Sequence, residues 1–187
     1  MTASLSTALR ELAAVAEQAA ASLASAIDEA ARMVRATVAR GGTLFFAGNG
    51  GSAADAQHIA TEYVVRYRRN RRAVAAVALT TDTSLLTAAA NDLGFEEVFA
   101  RQVDALAKPG DLLVVHTTSG TSRNIVRALE AARSKGVETL ALTANDGGAV
   151  KGLATHCIIV PTTRTDRAQE LHLCIQHAIC DAVEDAL

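Results

Sequence analysis

The chain has 187 residues, half of them apolar and 20% charged, with a formal net charge of −2. It is long enough to bury roughly 70% of its unfolded surface, and its composition excludes a disordered chain. The near-neutral balance argues against a dedicated nucleic-acid binder, no apolar run reaches the ~18 residues of a membrane span, and 3% aromatics leave little for stacking on bases or sugars.

Residues 3–40 are Ala-rich and helical in pattern. Leu5, Leu9, Leu12, Val15 and Ala16 recur at three and four residues, as do Leu23, Ile27, Ala30, Ala31, Val34 and Val38. This predicts one long or two shorter amphipathic helices ending at Gly41-Gly42. The segment reads as a helical layer on the domain or as an oligomer interface. It carries Glu11, Glu17 and Asp28 and lacks the basic start and compact apolar core of a secretory signal, so a cytoplasmic protein is expected. Cys157, Cys174 and Cys180 form no CxxC pair and read as reduced thiols filling the core.

Beyond Gly42 the period changes. Short apolar runs at 43–47, 74–79, 111–116, 137–143 and 156–160 predict strands buried on both faces of a parallel sheet. Helical stretches separate them: about 53–68, 83–105 with a break near Asn91–Gly94, 122–135, 147–154 and 166–187. Such alternation predicts an α/β fold, a doubly wound five-stranded parallel sheet flanked by helices. One domain, 1–187, is expected, with an N-terminal helical segment (1–40) before the α/β core (41–187).

In an open parallel sheet, ligands bind at the carboxyl ends of the strands. The first such loop is Gly48-Asn49-Gly50-Gly51-Ser52, just before a helix. It reads as a close backbone approach to a ligand at a helix N-terminus, or as a plain tight turn. It matches neither a Walker loop nor GxGxxG. The third strand ends in Thr117-Thr118-Ser119-Gly120-Thr121-Ser122. Five hydroxyls in six residues there suit a phosphate cradle without a fixed cation, whereas one helix cap needs only one.

On the first core helix His58 and Glu62 share a face, with Arg66 one turn on. On the last helix Gln169, Leu173 and His177 fall at four-residue steps, placing Gln169 and His177 about 12 Å apart along the axis. If the two helices meet, His58, Glu62, Gln169 and His177 suit zinc or a similar divalent ion. Taken alone, a His/Glu pair at this spacing is more often surface decoration. His156 and His172 read as structural, and His116 lies close enough to the hydroxyl loop to stay open. The run RYRRNRR (66–72) reads as a solvated helix end or as a face toward an anionic substrate across a subunit boundary.

Several segments are specific together: AGNGGSAADAQHIATEY (47–63), NDLGFEEVFARQV (91–103), TTSGTSRNIVRAL (117–129), LTANDGGAV (142–150) and RAQELHLCIQHAI (167–179). They resemble the sugar isomerase (SIS) domain family, and within it the phosphoheptose isomerases. The resemblance runs from about residue 10 to the C-terminus. It implies a SIS-type fold and interconversion of sedoheptulose 7-phosphate and D-glycero-D-manno-heptose 7-phosphate. It makes His58, Glu62, Gln169 and His177 zinc ligands, and Glu62 and His177 the acid/base pair. Substrate contacts would come from Asn49, Gly50, Gly51, Ser52, Asn91, Asp92, Thr117, Thr118, Ser119 and Ser122, with Glu62 and Gln169 touching substrate as well. It also implies a homotetramer with active sites between subunits.

The chemistry agrees with these residue types. Moving a proton between C1 and C2 through an enediol needs a base, an acid at the carbonyl oxygen and charge stabilisation, which a zinc ion can supply. The chain departs from the family pattern in places: Thr117 stands for serine, Thr121 for asparagine and His116 for a small or apolar residue, and Val64-Val65 and RYRRNRR (66–72) also vary. Two alternatives remain: an isomerase of another ketose phosphate, and a non-catalytic SIS protein that binds a partner such as a replication initiator. Relatives of the latter kind lack counterparts of Glu62 and His177. A sugar-phosphate-sensing regulator would normally carry a DNA-binding domain as well.

Overall fold

The computed structural model describes residues 5–187. Five strands form one sheet: β1 (Leu44–Gly48), β2 (Ala76–Ala78), β3 (Leu112–Thr117), β4 (Glu138–Thr143) and β5 (His156–Ile159). Their order is β2-β1-β3-β4-β5 and every pairing is parallel. Strands β1 and β3 are buried at every residue, which is why they read as unbroken apolar runs.

Alternate residues feed two helical layers. Leu44, Phe46, Leu112, Val114, Leu140 and Leu142 pack with α1 (Leu5–Ala39), α2 (Gly51–Val64) and α6 (Thr165–Glu184). Phe45, Ala47, Leu113, Val115 and Ala141 pack with α3 (Thr83–Asp92), α4 (Ala100–Leu106) and α5 (Arg123–Ser134). The period of two in β-structure thus produces both cores from the same strands.

The N-terminal segment is one helix of 35 residues. Its second half buries Ala30, Ala31, Met33, Val34 and Val38, whereas between residues 6 and 20 only Ala19 is buried and Leu9 is exposed. The expected break in 83–105 is real: Gly94, at φ 99°, separates α3 from a 3-10 turn at Phe95–Glu97, and α4 follows. Two expectations need correction. Residues 147–154 hold only a 3-10 turn, Ala149–Gly152, because Gly147 and Gly148 adopt positive φ and turn the chain instead of starting a helix. Only Cys180 of the three free cysteines is buried; Cys174 is exposed. Among the described residues, no helix is long and apolar enough to cross a membrane.

Strand β1 leads to β2 on one side, and the chain then returns to β3 on the other. The crevice between the carboxyl ends of β1 and β3 is therefore the topological switch point, where this class of sheet binds ligands.

Candidate active site

A cavity of about 260 Å³ opens at that switch point. One wall is the loop after β1, Asn49 to Ser52. The opposite wall is the end of β3 and the loop beyond it, His116, Thr117, Thr118, Ser119 and Ser122. Thr165 and Gln169 of α6 close it. Three helices begin here: Gly51 and Ser52 lie in the first turn of α2, Ser122 precedes α5, and Thr165 opens α6. Each N-terminus offers unpaired N–H groups and positive dipole. The Ser122 side chain makes no capping hydrogen bond. The cavity lining holds no lysine or arginine among the described residues. Hydroxyls, amides, one imidazole and backbone N–H groups line it, a donor set that suits an anion.

Backbone shape explains two glycines. A Cβ at Gly51 would lie 2.7 Å from the Gln169 amide, so the bare backbone lets Gln169 close over the loop. Gly120 sits at φ 66°, and a Cβ there would meet the Gly147 carbonyl oxygen at 2.2 Å. The turn at Gly147-Gly148 thus braces the hydroxyl loop from behind. Asn49 spends its side chain on Asn124, with reciprocal amide bonds of 2.9 and 2.8 Å. That half-buried pair ties the β1 loop to α5 across the switch point. Sequence reading missed Asn124 and Thr165; their only signal was polar residues in the first turns of helices that follow strand ends.

A second cluster lies further along α2 and α6. His58 Nε2 is 3.0 Å from His177 Nε2 and 3.4 Å from a Glu62 carboxylate oxygen. One donor atom from each of the three residues lies within 4.8 Å of the others. Ligands bound at 2.0–2.2 Å in a tetrahedron stand roughly 3.3–3.6 Å apart, so two imidazoles and a carboxylate at this spacing fit zinc. Burial, with the neighbouring His58 second, holds the His177 pKa below its ordinary value, which favours the neutral ring that a metal needs. The Tyr67 ring stacks on His177 at 5.3 Å, and the Arg68 guanidinium lies 5.1 Å from the Tyr67 ring centre.

The structure does not gather all the residues that sequence reading grouped. Gln169 lies in the hydroxyl cavity, two helical turns and about 12 Å along α6 from His177. Gln169 thus lines the cavity, while His58, Glu62 and His177 form the compact group. Asn91 and Asp92 end α3, bond to each other at 2.7 Å and do not line the cavity.

Known proteins are similar to this chain in sequence and fold. A profile of the family described as SIS domain matches residues 9–144. The phosphoheptose isomerase of Akkermansia muciniphila is 52% identical over 88% of this chain and 87% of its own. That of Bordetella avium is 45% identical over 100% of this chain and 96% of its own. The solved phosphoheptose isomerase GmhA from Neisseria gonorrhoeae superposes with a TM-score of 0.92 at 39% identity, covering 97% of each chain. The chain belongs to the SIS domain family, in its phosphoheptose isomerase branch.

Most of the arginine run of this SIS domain is solvated: Arg66, Arg68, Arg69 and Arg72 are exposed beyond the end of α2, and Arg71 turns inward. The helix stops at Val64, and the Glu184 carboxylate accepts from the backbone N–H groups of Tyr67, Arg68 and Arg69 at 2.8–2.9 Å. Arg71 pairs with Glu184 at 3.1 Å, and both side chains are under 10% exposed. Arg71 also donates to the carbonyls of Glu62 and Tyr63, closing the end of α2. Burial pushes the Glu184 pKa up, but the three backbone donors and Arg71 outweigh it and leave it below the usual carboxylate value. His116 and His172 are both fully buried, and burial pushes them down to about 3 and about 4, so both are neutral at physiological pH.

Proposed function

We propose that this phosphosugar isomerase interconverts sedoheptulose 7-phosphate and D-glycero-D-manno-heptose 7-phosphate through an enediol. The observation that carries the reading is a hydroxyl-rich cavity without lysine or arginine in the same chain as a compact group of one carboxylate and two imidazoles. The heptose specificity comes from the names of its relatives. A pocket without lysine or arginine suits reversible binding of a phosphorylated substrate that must also leave.

In this reading the hydroxyl loop and the three helix N-termini anchor the phosphate. Glu62 takes the proton from the carbon next to the carbonyl and returns it to the neighbouring carbon. Its side chain is only 16% exposed, which limits competition from water. His177 protonates the carbonyl oxygen and recovers the proton from the other hydroxyl. Stacking on Tyr67 keeps its ring oriented. His58, Glu62 and His177 would hold a zinc ion, whose chemistry is to polarise the carbonyl and stabilise the enediolate charge.

A homotetramer with shared sites belongs to the same proposal. The resemblance to the phosphoheptose isomerases is what suggests it, and Gln169, two turns before His177 on α6, would join His58, Glu62 and His177 as a zinc ligand. The exposed first half of α1 offers a surface for that assembly. The carboxylate and imidazole pair favours catalysis over partner binding alone.

The test is turnover of sedoheptulose 7-phosphate by the purified protein, before and after chelation and zinc restoration. Activity lost with chelator and regained with zinc is expected. Activity indifferent to chelator would remove the metal from the proposal, and no conversion with any divalent metal would refute the isomerase assignment.

A further inference from the structure

We propose that His116 is a positioning residue for the phosphate-binding loop, acting through Gln176 of α6. The inference rests on reading the switch-point cavity as a phosphate pocket. His116 is the penultimate residue of β3 and immediately precedes Thr117. Its side chain lies on the α6 side of the sheet, where Leu112 and Val114 of the same strand are apolar. An imidazole in that position costs free energy unless it is hydrogen-bonded. The bond it makes is with the Gln176 amide nitrogen, 3.0 Å from His116 Nε2. An amide nitrogen only donates, so Nε2 accepts in this contact, and it is the ring's one side-chain bond, since the buried Nδ1 has no partner among the described residues.

A second polar contact repeats the pattern one turn earlier. His172 Nε2 donates to the Thr143 carbonyl at 3.1 Å, at the end of β4. The two contacts, four residues apart on α6, hold the helix over the ends of neighbouring strands. Apolar packing alone lets a helix slide, because it is not directional; hydrogen bonds select one register. Register matters here because α6 also carries Thr165 and Gln169, which close the cavity. The His116–Gln176 bond therefore sets how closely Thr165 and Gln169 approach the hydroxyl loop.

The experiment is calorimetric titration of inorganic phosphate into the wild type, His116→Leu and His116→Gln, with sugar-phosphate KM and kcat measured alongside. Leucine fills the space but leaves the Gln176 donor unpaired. Glutamine returns an acceptor near the Nε2 position. His116→Leu is expected to weaken phosphate binding and raise KM about tenfold, with kcat changed less, and His116→Gln to recover most of the loss. If His116→Leu does not fold, Gln176→Leu removes the same bond from the other side and should give the same loss. Phosphate affinity within about twofold of wild type in a folded variant, whatever its thermal stability, would overturn the proposal. So would a glutamine variant as weak as the leucine one. A wild type that binds phosphate but does not turn over sedoheptulose 7-phosphate refutes the isomerase reading and leaves this inference open to the same titration. A wild type with no phosphate affinity overturns this inference, while turnover of the sugar phosphate still decides the isomerase reading.

Discussion

Glu184→Gln keeps the shape of the side chain and deletes its charge. In the native chain that carboxylate is 2% exposed and accepts from three backbone N–H groups and Arg71. Breaking a buried ion pair from one side typically costs 3–5 kcal/mol, because the remaining charge stays buried and uncompensated. Arg71 keeps its bonds to the carbonyls of Glu62, Tyr63 and Arg72, which places the expected loss at the low end, about 3 kcal/mol. For a chain of this size that corresponds to a fall in Tm of roughly 6–12 °C. The assay is urea unfolding followed by circular dichroism, at one fixed protein concentration so that assembly does not shift the midpoint. Activity should fall too, since the clamp holds Tyr67 against His177 and Arg71 against the end of α2. Adding Arg71→Met should recover part of the stability by removing the stranded charge. A loss below about 1 kcal/mol in the single variant, or a double variant as unstable as the sum of the two single changes, would refute the clamp.

Other outcomes follow from the same geometry. Glu62→Gln should abolish turnover with the fold intact by circular dichroism; an active variant removes Glu62 as the base. Ser119→Ala should raise KM more than it lowers kcat if its hydroxyl holds phosphate equally in ground and transition states, and steady-state kinetics showing a pure kcat loss would oppose that role. Gly120→Ala should lose phosphate affinity, measured by titration, because its Cβ strikes the Gly147 carbonyl oxygen at a backbone position with φ 66°. Stability should fall on acidification. The pKa values of His116 and His172 in the folded chain lie near 3 and 4, whereas unfolded histidine titrates near 6.5. Between those values the unfolded chain binds protons that the folded chain does not. Each histidine therefore removes on the order of 2 kcal/mol between pH 7 and 5. Urea midpoints across that range check the sign, and His172→Gln should flatten the slope.

Much of the fold could be read along the chain because its signals are local. Apolar runs such as Leu112–Val115 need no partner to declare a strand buried on both faces, and Gly94 ends a helix by its own backbone freedom. The hydroxyl loop and GNGGS were legible for the same reason: hydroxyls and glycines at a strand end state what the backbone there can do. The 147–154 stretch was misread because short apolar segments fit several conformations, and contact with Gly120 selected the turn.

The sequence by itself determined the strand–helix alternation and the chemistry available at each strand end. Only the tertiary structure decided which ends became neighbours. Sheet order places β1 beside β3, so Asn49 meets Asn124 from 75 residues away. Packing of α6 on α2 brings His177 to His58 while leaving Gln169 two turns behind, in the other pocket. It also turned Arg71 inward onto Glu184 and put His116 where an apolar residue was expected. These are contacts between residues distant in sequence, and their geometry is set by how whole elements bury their apolar faces against one another, which no local pattern encodes.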